Sequence, residues 1–225
     1  MLAAALYRIG SRNRLQLIDN KHLSADDLHV WRGQRHVLRG LSAELRAGEV
    51  VQVAGPNGTG KTTLLRVLAG LLTPEQGSVQ WCGRPISADR DGYNAELSWL
   101  GHDNALKADL TALENLDFAT GLRRPLAVAE TRTALERVGI ARCAELPARA
   151  LSAGQRRRLA MARVLLAATP LWLLDEPFTN LDAEGTALLS LLVAGHLDGG
   201  GLVMLAAHQA PDIPGHAVRR LELGG

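Results

Sequence analysis

Apolar and polar positions along this chain alternate between a rhythm of two and a rhythm near 3.6, and the changes mark the elements. Ala25 to Trp31 reads as a first strand, Arg32-Gly33-Gln34-Arg35 as a turn, and His36-Val37-Leu38 as the start of the return. Leu41 to Leu45 alternates apolar and polar residues, as a half-exposed strand does. After the turn Ala47-Gly48-Glu49, the run to Ala54 reads as a buried strand. Thr63 to Leu71 follows with Leu64, Leu68 and Leu71 at helical spacing. Pro74 to Gly77 predicts a turn, Ser78 to Trp81 a strand, and Leu97 to Leu100 another short strand. From Asn104 the pattern turns helical, through Thr111–Leu116 and, after Pro125, Val128–Val138. Residues 104–150 read as a helical insert in an α/β core of residues 22–103 and 151–225. A helix opens at Leu151-Ser152-Ala153-Gly154-Gln155 and runs to about Ala168. Leu171 to Leu174 is a continuous apolar run, the mark of a strand buried on both faces of a parallel sheet. A leucine-rich helix after Asp182 is broken by Gly199-Gly200-Gly201. A second buried strand, Leu202 to Ala207, ends at His208, and a last strand lies near Val218–Leu223.

The chemistry gathers at the first strand–helix junction. Gly55-Pro56-Asn57-Gly58-Thr59-Gly60-Lys61-Thr62 fits G-x-x-x-x-G-K-[ST] between a strand and a helix, the context that makes the pattern a phosphate loop. The glycines let successive backbone N–H groups face one anion. The helix start adds its own unpaired N–H groups and the positive end of its dipole. Lys61 supplies a charge for the terminal phosphates, and the Thr62 hydroxyl is placed for Mg²⁺, with Thr63 beside it. The fold class expected is therefore α/β, a phosphate-loop NTPase core with a mixed, mostly parallel sheet flanked by helices and an antiparallel β edge. ATP and Mg²⁺ are the expected ligands.

Asp175 and Glu176 follow the Leu171–Leu174 run, at the edge where open α/β sheets bind ligands. Asp175 can hold Mg²⁺, and Glu176 can polarise a water for attack on the γ-phosphate. His208, at the end of a neighbouring strand, can donate to the γ-phosphate or steer that water. Trp31 offers a flat face for an adenine ring, or is simply a core or surface tryptophan. Ser152-Ala153-Gly154-Gln155 fits the S-x-x-Q capping box. Gly154 weakens a first turn, which makes sense where a ligand or another chain comes close.

Composition narrows the setting. The 225 residues carry 25 basic and 23 acidic side chains, a balance of +2 too mild to argue for nucleic acid. Cys82 and Cys143 form no metal or redox motif and suit a reducing compartment. The longest apolar run, Val164 to Leu174, is cut by Pro170, so no segment approaches the roughly 20 residues of a membrane span. The expectation is a soluble protein of the cytoplasmic side, and a membrane partner is compatible with that. Residues 1–21 read as a loosely attached leader, best explained by an upstream translation start rather than by a transit peptide.

Over residues 22–225 the chain resembles the ATP-binding cassette family. The resemblance rests on the phosphate loop, the signature Leu151-Ser152-Ala153-Gly154-Gln155, the run Leu171 to Glu176, the loop Asn180-Leu181-Asp182 and the switch histidine His208, in the family's order. It implies a head-to-tail homodimer with two ATP molecules, each between a phosphate loop and the opposing signature. Ser152 and Gly154 then touch the γ-phosphate across the dimer, Glu176 is the base, and Asp182 links the two sites. The helical insert passes the movement to a membrane subunit. One position departs from the family: where a glutamine loop is expected, the run is Gly101-His102-Asp103-Asn104. Asp103 stands in that place, or Asn104 if the alignment slips, and an aspartate there can still meet Mg²⁺.

Trp99-Leu100-Gly101-His102, Leu110 to Leu116, Asp175 to Asp182 and Ala207-His208-Gln209 are similar to the branch of this family that serves cytochrome c maturation. That similarity implies a peripheral subunit on the cytoplasmic face of the bacterial inner membrane. Its partners are integral membrane subunits of the CcmB and CcmC type, with no nucleic acid and no direct haem contact. ATP hydrolysis is associated there with release of a haem-loaded chaperone. Rival readings are the ATPase of a drug, peptide or lipid exporter, a cassette protein acting on ribosomes or DNA, and a nucleotide sensor that does not hydrolyse. One phosphate loop and a short insert argue against the second, and Glu176 with His208 against the third.

Overall fold

β1 (His22–Arg32) and β2 (Arg35–Arg46) pair antiparallel from His22↔Arg46 to Arg32↔Arg35. The computed structural model describes residues 21–121 and 126–224, so the leader expected over 1–21 lies, but for Lys21, outside the described residues. The hairpin extends the strand read at Ala25–Trp31 at both ends. It also carries β2 unbroken through Arg39-Gly40, where the sequence showed no alternation. β1 next pairs antiparallel with β4 (Gln76–Trp81), and β5 (Arg84–Pro85) closes a sheet of order β2-β1-β4-β5. The turn expected to reach Gly77 ends earlier, because Gln76 and Gly77 already belong to β4. Gly77 has φ +89, and a Cβ there would lie 2.3 Å from the Asp27 carbonyl oxygen. Glycine is what lets β4 pass the irregular stretch of β1.

Packing divides the chain into two compact units. One comprises the described residues up to 99 with 170–175 and 190–224; the other comprises 100–121, 126–169 and 176–189. In the first unit the main sheet has the order β6-β7-β8-β3-β9, with β3 at Val50–Ala54, β6 at Leu97–Leu100, β7 at Leu171–Asp175, β8 at Leu202–Ala206 and β9 at Val218–Glu222. The pairs β3–β8, β3–β9 and β7–β8 are parallel. β3, β7 and β8 are buried at every position, as strands covered on both faces must be. Ala206 pairs with both Val53 and Asp175, so the C-terminal ends of these strands are level. This brings Gly55, Asp175 and the segment before His208 to one sheet edge. Helix α1 (Lys61–Leu68) packs beneath, burying Leu64, Leu65, Val67 and Leu68. A helix not foreseen, α2 (Arg90–Glu96), is capped by Asp89, whose carboxylate accepts from Gly92 N. Its single buried residue, Tyr93, donates to the Leu68 carbonyl at 2.6 Å and anchors it to α1.

In the second unit α3 (Ala112–Gly121), α4 (Val128–Arg137) and α5 (Ala153–Ala167) pack around Leu116, Leu135 and Leu159. Residues 104–110 are loop rather than helix. Asn115 explains this: its amide donates to the carbonyls of Lys107, Leu110 and Thr111 and its oxygen accepts from Lys107 N, pinning the loop back. α3 starts one residue after Thr111, which exchanges hydrogen bonds with Glu114 in a capping box. The final helix, α6 (Ala183–Asp198), follows the Asp182 loop.

The first unit also holds a buried histidine that titrates against folding. His196 lies 3.8 Å from the Trp172 ring at 6°, and its Nε2–H donates to the Pro170 carbonyl at 3.0 Å. Gly201 leaves room for the ring, since a Cβ there would sit 2.2 Å from Nε2. Burial pushes the His196 imidazole down to about 4 from its ordinary 6.5. The unfolded chain therefore takes up this proton at higher pH than the native one. Stability is full above the unfolded value and declines as pH falls toward the folded value. The expected loss between pH 7 and pH 5 is about 2 kcal/mol, read by urea unfolding at both pH values. His196→Phe should flatten that slope.

Candidate nucleotide site

The loop from Gly55 to Gly60 turns on glycines at positive φ, a region that other residues rarely adopt. Gly55 has φ +139, and a Cβ there would meet the Leu223 carbonyl oxygen at 2.4 Å. Gly60 has φ +109, and a Cβ there would meet side-chain methyls of Val37 at 2.8 Å and Leu38 at 3.1 Å. Gly60 is also the N-cap of α1, which has neither a side-chain cap nor an acidic residue in its first turn. The donors at that helix start are thus not spent on the chain's own carboxylates, which suits an anion. Lys61 is buried, and its ammonium donates to the carbonyls of Gly55 at 2.8 Å and Pro56 at 2.9 Å. The cation is folded back over the loop instead of reaching into solvent. Thr59 also binds the Pro56 carbonyl, and Arg35 donates to Gly58 O at 2.7 Å, bracing the loop from β2.

Thr62 Oγ1 donates to Asp175 at 2.9 and 3.2 Å from the two carboxylate oxygens. Asp175 is 1% exposed at the end of β7. A hydroxyl and a buried carboxylate side by side are hard oxygen donors of the kind Mg²⁺ takes. No cluster of three or more His, Cys, Asp or Glu residues suited to a metal exists among the described residues. Mg²⁺ is ordinarily bound through one or two carboxylates plus substrate phosphates rather than in an all-protein cage. His208 is exposed two residues beyond β8. Buried Gln52 donates to the carbonyl of Ala207, the residue before it, at 2.9 Å. Sequence reasoning missed this brace, because a glutamine inside an apolar run carries no local signal.

Trp31 is half-buried and already stacked. The His36 ring lies 3.8 Å from it at 7°, and His29 stacks on His36 at 5.1 Å. Cross-strand pairing Trp31↔His36 produces the stack. His29 Nδ1 lies 3.1 Å from His36 Nε2, and Asp27 faces the other His29 nitrogen. Desolvation first, then the neighbouring His29, pushes the His36 imidazole below the ordinary histidine range. The Trp31 ring is therefore already packed against an imidazole of its own hairpin.

In the second unit, Glu176 adopts φ +50 and Asn180 φ +65, both left-handed. Thr179 Oγ1 donates to the Glu176 carboxylate at 3.3 Å, and His102 Nδ1 lies 3.8 Å from it. Asp103 is exposed and caps its own turn, accepting from Ala105 N, while Asn104 is tied to Arg157. One Asp103 oxygen is thus engaged in its own turn. Ser152 and Gln155 form the capping box foreseen: Ser152 Oγ accepts from Gln155 N, and Gln155 Oε1 from Ser152 N. Gly154 has an explanation different from the expected one. A Cβ there would lie 2.8 Å from the chain's own Asn180 carbonyl, so an intrachain approach already demands glycine. Asp182 accepts from Gly185 N at 2.7 Å and from Arg158 at 3.0 Å. The Gly185 bond, followed by Arg158, holds its carboxyl below the usual range.

The ABC transporter family model matches residues 38–179. The chain is 44% identical over 203 residues to the cytochrome c biogenesis ATP-binding export protein CcmA of Dechloromonas aromatica, covering 90% of this chain and 100% of that protein. It is also 44% identical over 201 residues to the protein of the same description from Escherichia coli K12, covering 89% and 96%. Among solved structures it superposes on a bacterial Atm1-family ABC exporter with ATP bound, at a TM-score of 0.81 and 26% identity, covering 92% of this chain and 37% of that one. No helix among the described residues is long and apolar enough to cross a membrane. A phosphate loop on a level sheet edge, a family match over most of the chain and relatives aligned nearly end to end show that the chain belongs to the ABC transporter ATPases, which bind and hydrolyse ATP.

Proposed function

We propose that this chain is the ATP-hydrolysing subunit of a membrane complex of cytochrome c maturation, peripheral to the cytoplasmic face of the inner membrane. The observation that carries the cargo assignment is the match to cytochrome c biogenesis export proteins along nearly their whole length. Two copies enclose two ATP molecules, each between Gly55–Thr63 of one chain and Leu151–Gln155 of the other. Lys61 and the loop N–H groups hold the phosphates, and Trp31 carries the adenine. Thr62 and Asp175 hold Mg²⁺, which neutralises charge building on the phosphates. Glu176 takes a proton from water as its oxygen bonds to the γ-phosphorus and the bond to the bridging oxygen breaks, giving ADP and phosphate. His208 orients the γ-phosphate, and Asp182 links the two sites. The 104–150 segment conveys the movement to integral subunits of the CcmB and CcmC type.

Affinity capture of the tagged chain from solubilised membranes tests the cargo. The expected co-purifying protein is an integral subunit of cytochrome c maturation. Its addition should raise hydrolysis several-fold, about 1 kcal/mol of barrier. Capture of a drug, peptide or lipid exporter subunit instead would overturn the assignment.

A further inference from the structure

Arg156, Arg157 and Arg158 are consecutive, and the middle one is only 3% exposed. Its guanidinium spans two loops. Nη1 donates to the Gly101 carbonyl at 2.8 Å and to Asn104 Oδ1 at 3.0 Å. Nη2 donates to the Glu176 carbonyl at 2.7 Å, and Nε to the Pro177 carbonyl at 3.2 Å. We propose that Arg157 is a positioning residue for the general base, locking the Glu176–Pro177 turn to the 101–104 loop. The proposal rests on the reading of Glu176 as that base.

The physical case starts at the Glu176 backbone. A non-glycine residue at φ +50 sits in a disfavoured left-handed conformation that persists only where the surroundings hold it. Backbone direction sets the Cα–Cβ vector, so whatever holds the 176 and 177 carbonyls aims the carboxylate. Arg157 holds both. A buried cation is itself costly unless its donors are satisfied, so the arrangement is tight in both directions. The same fork fixes the loop that bears His102, whose ring lies 3.8 Å from the Glu176 carboxylate. A shift of the 101–104 loop therefore reaches the base through one side chain. Lysine cannot replace this arginine, because one ammonium cannot span a planar fork's acceptors on two loops.

The test uses the purified full-length chain. Arg157→Lys should lower kcat about 10- to 30-fold, with KM within about 2-fold, as misplacement of a reacting group does. Because the residue acts through Glu176, Arg157→Lys should add nothing to Glu176→Gln: the double variant should hydrolyse at the residual rate of the single one. A merely structural role would slow both backgrounds alike, and that outcome overturns the proposal. So does an Arg157→Lys enzyme with kcat within about 2-fold of the original. If Glu176→Gln itself hydrolyses normally, the base assignment falls and takes the clamp with it. An inactive Glu176→Gln beside a normal Arg157→Lys sinks the clamp alone. Should Arg157→Lys not fold, Asn104→Ala decides, since it removes one acceptor: a drop of about 3-fold in kcat at constant KM supports the clamp, and an unchanged kcat overturns it.

Discussion

Glu176→Gln should lower ATP hydrolysis about 10³-fold while ATP still binds, within the range general-base catalysis contributes. The substitution keeps size and shape, so the Thr179 hydroxyl, which bonds to Glu176 Oε2, still finds a partner. The backbone bond from Arg157 to the Glu176 carbonyl does not involve the side chain at all. The turn is therefore retained, and only the proton acceptor is lost. The phosphate loop, Lys61 and the Thr62–Asp175 pair are untouched, so the Kd for ATP should move little. Single-turnover hydrolysis and equilibrium ATP binding on the same preparation separate the two effects. Hydrolysis at the original rate removes Glu176 as the base.

What the sequence displayed and what it hid differ by the range of the cause. The phosphate loop is legible because its glycines act through their own dihedrals and the helix directly after it. The burial of β7 and β8 is legible because both faces of a parallel strand are covered, which forces an uninterrupted apolar run. α2 is invisible because it buries only Tyr93 and so presents no apolar stripe. The His36 ring on Trp31 arises from cross-strand register, which no window along the chain contains. Arg157 hides in the same way: its acceptors lie at residues 101, 104, 176 and 177, so the run Arg156–Arg158 looks uniform where one member is buried. The glycine at 154 was visible, but its cause was not, because the crowding atom belongs to Asn180.

That crowding decides how the two-chain arrangement can be challenged. Gly154→Asp would press against the Asn180 carbonyl, and any loss of dimer would be ambiguous. Ala153 is the better probe. It is exposed, it is the first residue of α5, and the Ser152–Gln155 capping box leaves its side chain uninvolved. A glutamate at a helix start is favoured by the helix dipole by about 0.3–1 kcal/mol, so Ala153→Glu should fold at least as well as the original. In the proposed sandwich, however, the new carboxylate meets the opposing γ-phosphate, and like charges brought together at an interface cost several kcal/mol. ATP-driven dimerisation should weaken about 100-fold, and hydrolysis at a fixed chain concentration should fall with it. Added salt should recover part of the loss, since screening softens repulsion between charges near solvent. Light scattering with ATP in a Glu176→Gln background reads the dimer without turnover. If Ala153→Glu dimerises there as readily as its parent, the signature helix does not face a second nucleotide, and Leu151–Gln155 is a well-capped helix start and nothing more.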